Sequence, residues 1–410
     1  CALRDQNRYD EAIDLLRDAL GAAPAEPILW NSLGTVLSER GDAAQSLPFY
    51  DEALRLAPDF YKARYNRANV RMSLGEPRLA IADIDEALTG VTAPTEVATM
   101  KMAKALTQMA VGDLDRAFET YEARLDPALA DAVTFAPGGE RWTPGDDLKG
   151  RTLLVYGEQG LGDEILFANV LGDTLEALGP DGTLILAVEH RLVPLFRRSY
   201  PQARVVRHRS VRHLGRLYRA ADLPDPVPDI DLWTPMASLF RQFRTRAEAF
   251  PATRGFLTPD PDRVAHWRAV LAAAGPGLNV GVVWKSLIMK GARVRVYSPF
   301  EMWRPVLSVP GVRFVNLQYG DASAELAAAR AAGLELWTPP GIDLKDDLDD
   351  LGALCAALDV VIGPATATTN IAAGCGARVW MTSTAEAWSG FGPHGYLSYP
   401  TVEVFRTAAL

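Results

Sequence analysis

The chain has 410 residues, which at roughly 100–200 residues per domain allows two to four domains. It is 48 % apolar and 23 % charged, an ordinary globular composition. A formal net charge of −9 argues against non-specific nucleic-acid binding, which needs a basic surface. The three cysteines, Cys1, Cys355 and Cys375, form no CxxC pair, so neither a disulfide framework nor a zinc site is indicated. With no run of about 18 apolar residues and no signal-peptide layout, the sequence reads as a cytoplasmic protein without a membrane span.

Residues 1–125 carry a repeat with a period of 34, the tetratricopeptide pattern. The clearest copy runs from Pro27: Trp30, Leu33, Gly34 and Leu37 share one helical face, Gly41 ends the helix, Ser46, Tyr50 and Ala53 continue on a second helix, and Pro58 closes the unit. Earlier come Ala12, Leu16, Ala19 and Pro24; later come Ala68, Gly75, Ala80, Ile84 and Ala87, then Gly112, Ala117 and Tyr121. Small residues let paired helices approach closely, and each pair buries its apolar face only against its neighbours. The first helix of the first copy is missing, which suggests a longer arm in the intact protein. The repeats predict a concave protein-binding surface, with Trp30, Asn31, Tyr65, Asn66 and Asn69 as candidate acceptor contacts. A spacer or dimerisation arm is the alternative.

Residues 126–150 read as a linker, punctuated by Pro127, Pro137, Gly138, Gly139, Pro144 and Gly145. From Arg151 short β-prone runs alternate with helical stretches: Thr152–Tyr156, Thr183–Val188 and Ala203–Val206, then Val280–Trp284, Arg313–Leu317, Leu334–Leu336, Val360–Gly363 and Val379–Thr382. This alternation predicts an α/β fold of two Rossmann-like, doubly wound parallel-sheet lobes, residues 151–262 and 278–410, facing a cleft. Ligands of such sheets bind outside the carboxyl ends of the strands.

Three loops at such ends are candidate sites. GEQGLGDE (Gly157–Glu164) follows a strand and opens a helix; its glycines allow close approach by a ligand, and the helix start favours an anion or a developing negative charge. It lacks the GxGxxG spacing of a dinucleotide fingerprint. Asp163 is the candidate general base, Glu164 either orients the loop or substitutes as base, and Gly160 and Gly162 contact the donor; a purely structural role for Asp163 as a helix cap is the alternative. GPATATTN (Gly363–Asn370) offers hydroxyls and amides of Thr366, Thr368, Thr369 and Asn370 as a phosphate cradle, or an ordinary capped turn. Lys285, Lys290, Arg293 and Arg295 form a basic loop that could neutralise a leaving phosphate, with Gln318 a further donor contact. Eight arginines between Arg197 and Arg219 form a basic stretch, either a steering surface or a solvated face. The five histidines have no metal-ligand spacing, and no metal is expected.

These passages together resemble bacterial tetratricopeptide glycosyltransferases with a GT-B, heptosyltransferase-like catalytic part. The resemblance rests on YEARL (Tyr121–Leu125), on Trp142 and the run Leu148–Glu164, on Pro235–Leu239, and on Leu358–Ile362 with its threonine loop. It implies an inverting, metal-independent transfer from a nucleotide sugar, with Asp163 as general base and Thr366–Asn370 on the donor phosphate. The family's loop carries an aspartate and threonine followed by a histidine; here Ala365, Thr366 and Asn370 stand there, which puts a heptose donor in doubt. PATATTN with a repeat arm is more similar to flagellin-modifying enzymes that use CMP-activated nonulosonic acids such as pseudaminic acid. The resemblance thus implies flagellin as protein partner, a CMP-linked donor and no other cofactor. A lipid or polysaccharide acceptor, or a non-catalytic adaptor, are the competing readings; a surface amphipathic segment would favour the lipid acceptor, and the sequence shows no convincing one.

Overall fold

The computed structural model describes residues 2–287, 297–383, 387–393 and 395–406. The chain forms two compact units: residues 1–132 with 385–393 and 408–410, and residues 133–384 with 394–407.

The first unit is a helical array: α1 (Ala2–Asp5), α2 (Tyr9–Ala22), α3 (Pro27–Arg40), α4 (Ala43–Leu56), α5 (Tyr61–Ser73), α6 (Pro77–Gly90), α7 (Pro94–Val111) and α8 (Leu114–Tyr121). Proline opens α3, α6 and α7, where its missing N–H costs nothing. Gly41, at φ 114°, and Gly112, at φ 81°, end α3 and α7 in the left-handed conformation, which glycine alone adopts without strain. The small-for-large interlock is visible at Gly34, where an added Cβ would stand 3.0 Å from the Tyr50 ring. Ala12, Leu16, Leu33 and Leu37 fill one inter-helix core; Ala68, Ala80, Ile84 and Ala87 fill another. A segment from far along the chain joins this unit: Phe391 meets Phe118 with ring centroids 5.6 Å apart and Trp388 meets Tyr121 at 6.4 Å, both pairs tilted. The sequence offered no sign of that addition.

The second unit holds two sheets. The first comprises β1 (Val133–Ala136), β2 (Glu140–Arg141), β3 (Thr152–Tyr156), β4 (Thr183–Val188), β5 (Arg204–His213), β6 (Arg216–Ala221) and β7 (Leu232–Pro235), in the order β1-β6-β5-β4-β3-β7-β2. Its pairs are parallel except β5 with β6. The second comprises β8 (Leu278–Val282), β9 (Val312–Asn316), β10 (Leu336–Trp337), β11 (Val360–Pro364), β12 (Val379–Ser383) and β13 (Val402–Arg406), in the order β10-β9-β8-β11-β12-β13, parallel throughout. Helices α9 (Leu161–Phe167), α10 (Leu171–Leu178), α11 (Val193–Ser199), α12 (Phe240–Phe243), α13 (Pro261–Ala273), α14 (Arg304–Leu307), α15 (Ser323–Ala331), α16 (Leu348–Ala357) and α17 (Ala367–Gly374) make the crossovers and connections.

Two readings change. Part of the stretch read as a linker supplies the edge strands β1 and β2, because its alternating Val133 and Phe135 turn inward while Thr134 and Ala136 stay exposed. The arginine-rich stretch is not wholly solvated: most of it is the β5–β6 hairpin, turned by Leu214 and Gly215 at φ 48° and 79°, the backbone of a tight two-residue hairpin.

Within this unit the sheets are joined by ion pairs and hydrogen bonds. Arg198 grips Asp349 through two contacts of 2.7 Å, and the Asn169 amide donates to Ser398 at 3.0 Å. The motif helix α9 packs against α17 of the second sheet.

Candidate functional site

The loop after β3 is shaped by its two buried glutamates. An added Cβ at Gly157 would stand 2.5 Å from the Glu164 carboxyl, so glycine makes room for that side chain. Glu164 is 2 % exposed. It accepts from the Glu189 amide at 2.9 Å, contacts His208 Nε2 at 2.7 Å and faces the Arg219 guanidinium at 3.7 Å. Burial pulls the Arg219 guanidinium below its usual value, against the opposing pull of Glu164 and Glu158, while Arg219 donates to the Gly157 carbonyl at 2.5 Å. Glu158, also buried, accepts from the Ala237 amide at 2.7 Å. Gln159 between them sits at φ 60°, an uncommon conformation for a side-chain-bearing residue.

Asp163 has a different setting. It is partly exposed in the first turn of α9 and accepts from the Gly160 amide at 3.1 Å. Of the two acids, only Asp163 has solvent access. Glu164, considered as a catalytic group, is corrected to a structural one: its carboxylate is committed to His208, Arg219 and the Glu189 amide.

Across from this loop lies the turn between β11 and α17. Gly363 is required there, because a Cβ would meet the Val283 carbonyl at 2.4 Å. Thr366 caps α17, its hydroxyl accepting from the Thr369 amide, while Thr369 Oγ1 accepts from the Thr366 amide at 2.9 Å and donates to the Pro364 carbonyl at 2.9 Å. Thr369 is fully buried, so its hydroxyl is spent on the turn and is not a donor contact. Thr368 is 1 % exposed, so its side chain too is withdrawn from solvent. What the turn presents is the first-turn backbone of α17. A Cβ on Gly162 would lie 3.6 Å from the Ala367 nitrogen and 3.0 Å from Asn370 Nδ2, and Asn370 Nδ2 donates to the Gly162 carbonyl at 3.1 Å. Gly162, Ala367 and Asn370 therefore meet; Gly160 stays exposed beside them.

The basic loop is altered more. Gln318 is 3 % exposed. Its Oε1 accepts from the Trp284 and Lys285 amides at 3.0 Å each, and its Nε2 donates to the Lys285 and Tyr319 carbonyls at 3.0 and 2.9 Å. Gln318 is a clamp on the loop rather than a ligand contact. Lys285 is paired with Glu325. Burial acts to raise the Glu325 carboxyl, but Lys285 outweighs it and holds it low. Lys290, Arg293 and Arg295 lie outside the described residues.

On the repeat unit, Trp30 donates to the Pro24 carbonyl at 2.7 Å and stacks on Phe49, so it packs rather than displays. Asn66 Nδ2 reaches Asn31 Oδ1 at 3.0 Å and Thr35 Oγ1 at 3.4 Å. Tyr65 is half-buried, its hydroxyl raised by burial against a hydrogen bond with the exposed Asn69.

Sequence reasoning missed His208, Arg219 and Glu158 as supports of the motif loop. A signal existed for the first two: RHLGR (Arg212–Arg216) is a hairpin turn, and period-two counting from it puts His208, Ser210 and Arg219 on one face. Among the described residues, no group of three or more His, Cys, Asp or Glu could hold a metal ion.

A tetratricopeptide array joined to a two-sheet parallel α/β unit defines the class of the molecule. Residues 1–59 match the tetratricopeptide repeat family model. Protein FlbA of Caulobacter vibrioides is 50 % identical over 408 residues, covering 99 % of this chain and 68 % of that protein, and the chain belongs to the FlbA family. The peroxisomal targeting signal receptor of Eremothecium gossypii is 35 % identical over 81 residues, 20 % of this chain and 14 % of that one. Among solved structures, a glycosyl transferase family 9 protein from Veillonella parvula is similar at 13 % identity and TM-score 0.44, over 64 % of this chain and 87 % of that one. The E. coli ADP-heptose lps heptosyltransferase II is similar at 12 % identity and TM-score 0.38, over 62 % and 90 %.

Proposed function

We propose that this chain is an inverting, metal-independent protein O-glycosyltransferase. The observation that carries the reading is the meeting of two strand-end loops: partly exposed Asp163 on one, and the first turn of α17 on the other, joined by Asn370 and Gly162. Asp163 takes the proton of a Ser or Thr hydroxyl as that oxygen attacks the anomeric carbon of the donor. The bond from that carbon to the nucleotide's phosphate oxygen breaks, and the departing phosphate takes up the negative charge. Backbone amides at the start of α17 are suited to that charge. Lys285 could join them only by leaving Glu325. Metal ions have no part in this scheme.

The donor in this reading is a CMP-linked nonulosonic acid and the acceptor is flagellin, both resting on the sequence resemblance of the PATATTN loop and the arm. The Asn31–Asn66 pair supports an acceptor segment bound through its backbone, since one amide's N–H groups and the other's carbonyl remain to pair with a peptide group. A non-catalytic adaptor is the second reading, favoured by Thr369, Gln318 and Lys285 being committed elsewhere.

The test titrates the purified chain with CMP, UDP, GDP and ADP in thermal unfolding. A nucleotide at 100 times its Kd adds about 2.7 kcal/mol of stability. Stabilisation by CMP, with mass gain on flagellin when a CMP-sugar is supplied, is the expected result. A response to another nucleotide alone discards the sugar assignment, and no response to any discards the enzyme.

A further inference from the structure

The β5–β6 hairpin has two faces of opposite character. Cross-strand partners lie on the same face, so the register His208↔Ala221, Ser210↔Arg219 and Arg212↔Leu217 defines one, and Arg209↔Ala220, Val211↔Tyr218 and His213↔Arg216 the other. The first face is turned to the protein at the base of the hairpin, while Ser210 and Arg212 nearer the tip are exposed. At the base His208 meets Glu164, and Arg219 reaches Ser210 and the Gly157 carbonyl. The second face is turned out. Val211 is 62 % exposed, Tyr218 39 %, and Leu214 at the tip 89 %. Arg209 and Arg216 flank the Val211–Tyr218 pair on either side.

The placement is also specific. Ala187 on β4 is paired with Tyr156, the last residue of β3, and β4 meets β5 only through Arg207. From there β5 runs six further residues to His213, about 20 Å at the strand rise. The hairpin thus extends past the carboxyl ends of β3 and β4, where the Gly157–Glu164 loop lies, with β1 paired along β6 as far as Leu217. From Ser199 to Ala221 the chain contains no Asp or Glu. Asp222 contacts both Arg207 and Arg209, at 2.6 and 3.0 Å, one negative charge against two positive. Arg216 has no carboxylate partner among the described residues.

We infer that this hairpin docks the chain on an anionic lipid surface. A leucine at the apex of a convex turn, with Val211 and Tyr218 behind it, enters a deformable interface without needing a complementary pocket, and the arginines keep their guanidiniums at the headgroup level. The overall charge of −9 does not forbid this, because charges farther than about 8 Å from the surface are screened at physiological salt. The surface is independent of the proposed transfer chemistry. If both hold, docking would bring the Asp163 loop close to the bilayer.

The experiment is vesicle flotation of the intact chain. Vesicles of equal parts phosphatidylglycerol and phosphatidylcholine are compared with pure phosphatidylcholine, at low and 1 M salt. The chain is expected to float with the anionic vesicles at low salt, and to stay behind with neutral vesicles or in 1 M salt. Leu214→Asp should weaken flotation about tenfold or more, and Arg216→Glu at least about fivefold, the worth of one surface arginine. Both positions point outward, so unchanged circular dichroism and melting are the folding control. Failure to float with anionic vesicles overturns the inference, as does unchanged flotation of the doubly substituted chain. Binding to polyglutamate without vesicle binding overturns it too, by assigning the face to an acidic protein. None of these readouts uses glycosyl transfer, so failure here leaves the proposed enzyme standing.

Discussion

Asn370 donates from its side-chain amide to the main-chain carbonyl of Gly162 at 3.1 Å, tying the helix that follows β11 to the helix that follows β3. One short side chain and one missing side chain bring two strand-end loops from different sheets into contact. Asn370→Asp replaces the donor with an acceptor facing a carbonyl, and Gly162→Ala puts a methyl 3.0 Å from the Asn370 amide. Loss of the bond should cost about 1 kcal/mol, and the Asp variant should cost more than Asn370→Ala. Melting curves of the three variants check this ordering; equal melting for Asp and Ala would remove the bond from the account.

The adjacent acids Asp163 and Glu164 should separate cleanly. Glu164→Ala leaves Arg219 and His208 buried without their carboxylate, which should destabilise the chain by about 3–5 kcal/mol. Asp163→Asn keeps an oxygen that can accept from the Gly160 amide at the start of α9 and should cost about 1 kcal/mol. For glycosyl transfer the order should reverse at temperatures where both variants are folded: Asp163→Asn should lower the rate at least about 100-fold. Denaturant unfolding paired with a transfer assay decides. A stable, inactive Glu164 variant beside an active Asp163 variant would exchange the assignments.

The contrast shows where sequence reading carries and where it stops. The repeat arm was legible because a 34-residue period is a one-dimensional signal, and Gly34 against Tyr50 is the packing that period encodes. The two parallel sheets were legible because buried strands are short apolar runs such as Thr152–Tyr156. The motif loops were found where glycine-rich turns follow strands. Which of their polar side chains face solvent was not legible. Glu164 and Asp163 are adjacent and chemically alike, and the difference lies in His208 and Arg219, more than forty residues away. Gln318 and Thr369 read as ligand contacts because their types suit a phosphate, yet each is consumed by backbone groups that only the fold brings near. The small edge strands β1 and β2 escaped because four- and two-residue strands lie below what period-two patterning can distinguish from a loop.

The repeat interlock makes its own prediction. Gly34→Ala places a methyl 3.0 Å from the Tyr50 ring, and that ring is 1 % exposed, with its hydroxyl pushed up to about 12 by burial. The ring cannot swing into solvent, so overpacking should cost about 1–3 kcal/mol. Gly21→Ala, in the preceding helix with nothing within 4 Å of the added carbon, should be neutral or stabilising, since alanine is the better helix former. Thermal unfolding of both variants checks the pair; destabilisation by both would point to the helix backbone rather than to the interlock.

The last prediction concerns acid. Asp350 on α16 accepts from Arg263 at 2.8 and 2.7 Å and from Trp267 Nε1 at 2.8 Å, both on α13. Burial acts to raise its carboxyl, but Arg263 and Trp267 outweigh burial and hold it below the ordinary 3.8. A carboxylate with a depressed folded pKa contributes stability that is complete above its unfolded value and is lost as pH falls through the folded one. The α13–α16 contact should therefore hold full strength from neutral pH down to about pH 4, a carboxylate's unfolded range, and weaken only below it. Arg263→Gln removes the charged partner, and because the pair is partly exposed its loss should cost about 1 kcal/mol at pH 7. As pH drops below 4, the wild type should lose that advantage and the two urea midpoints should converge. A gap that stays constant down to pH 3 would mean that Arg263 contributes through its guanidinium over the Trp267 ring, with no part played by the charge on Asp350.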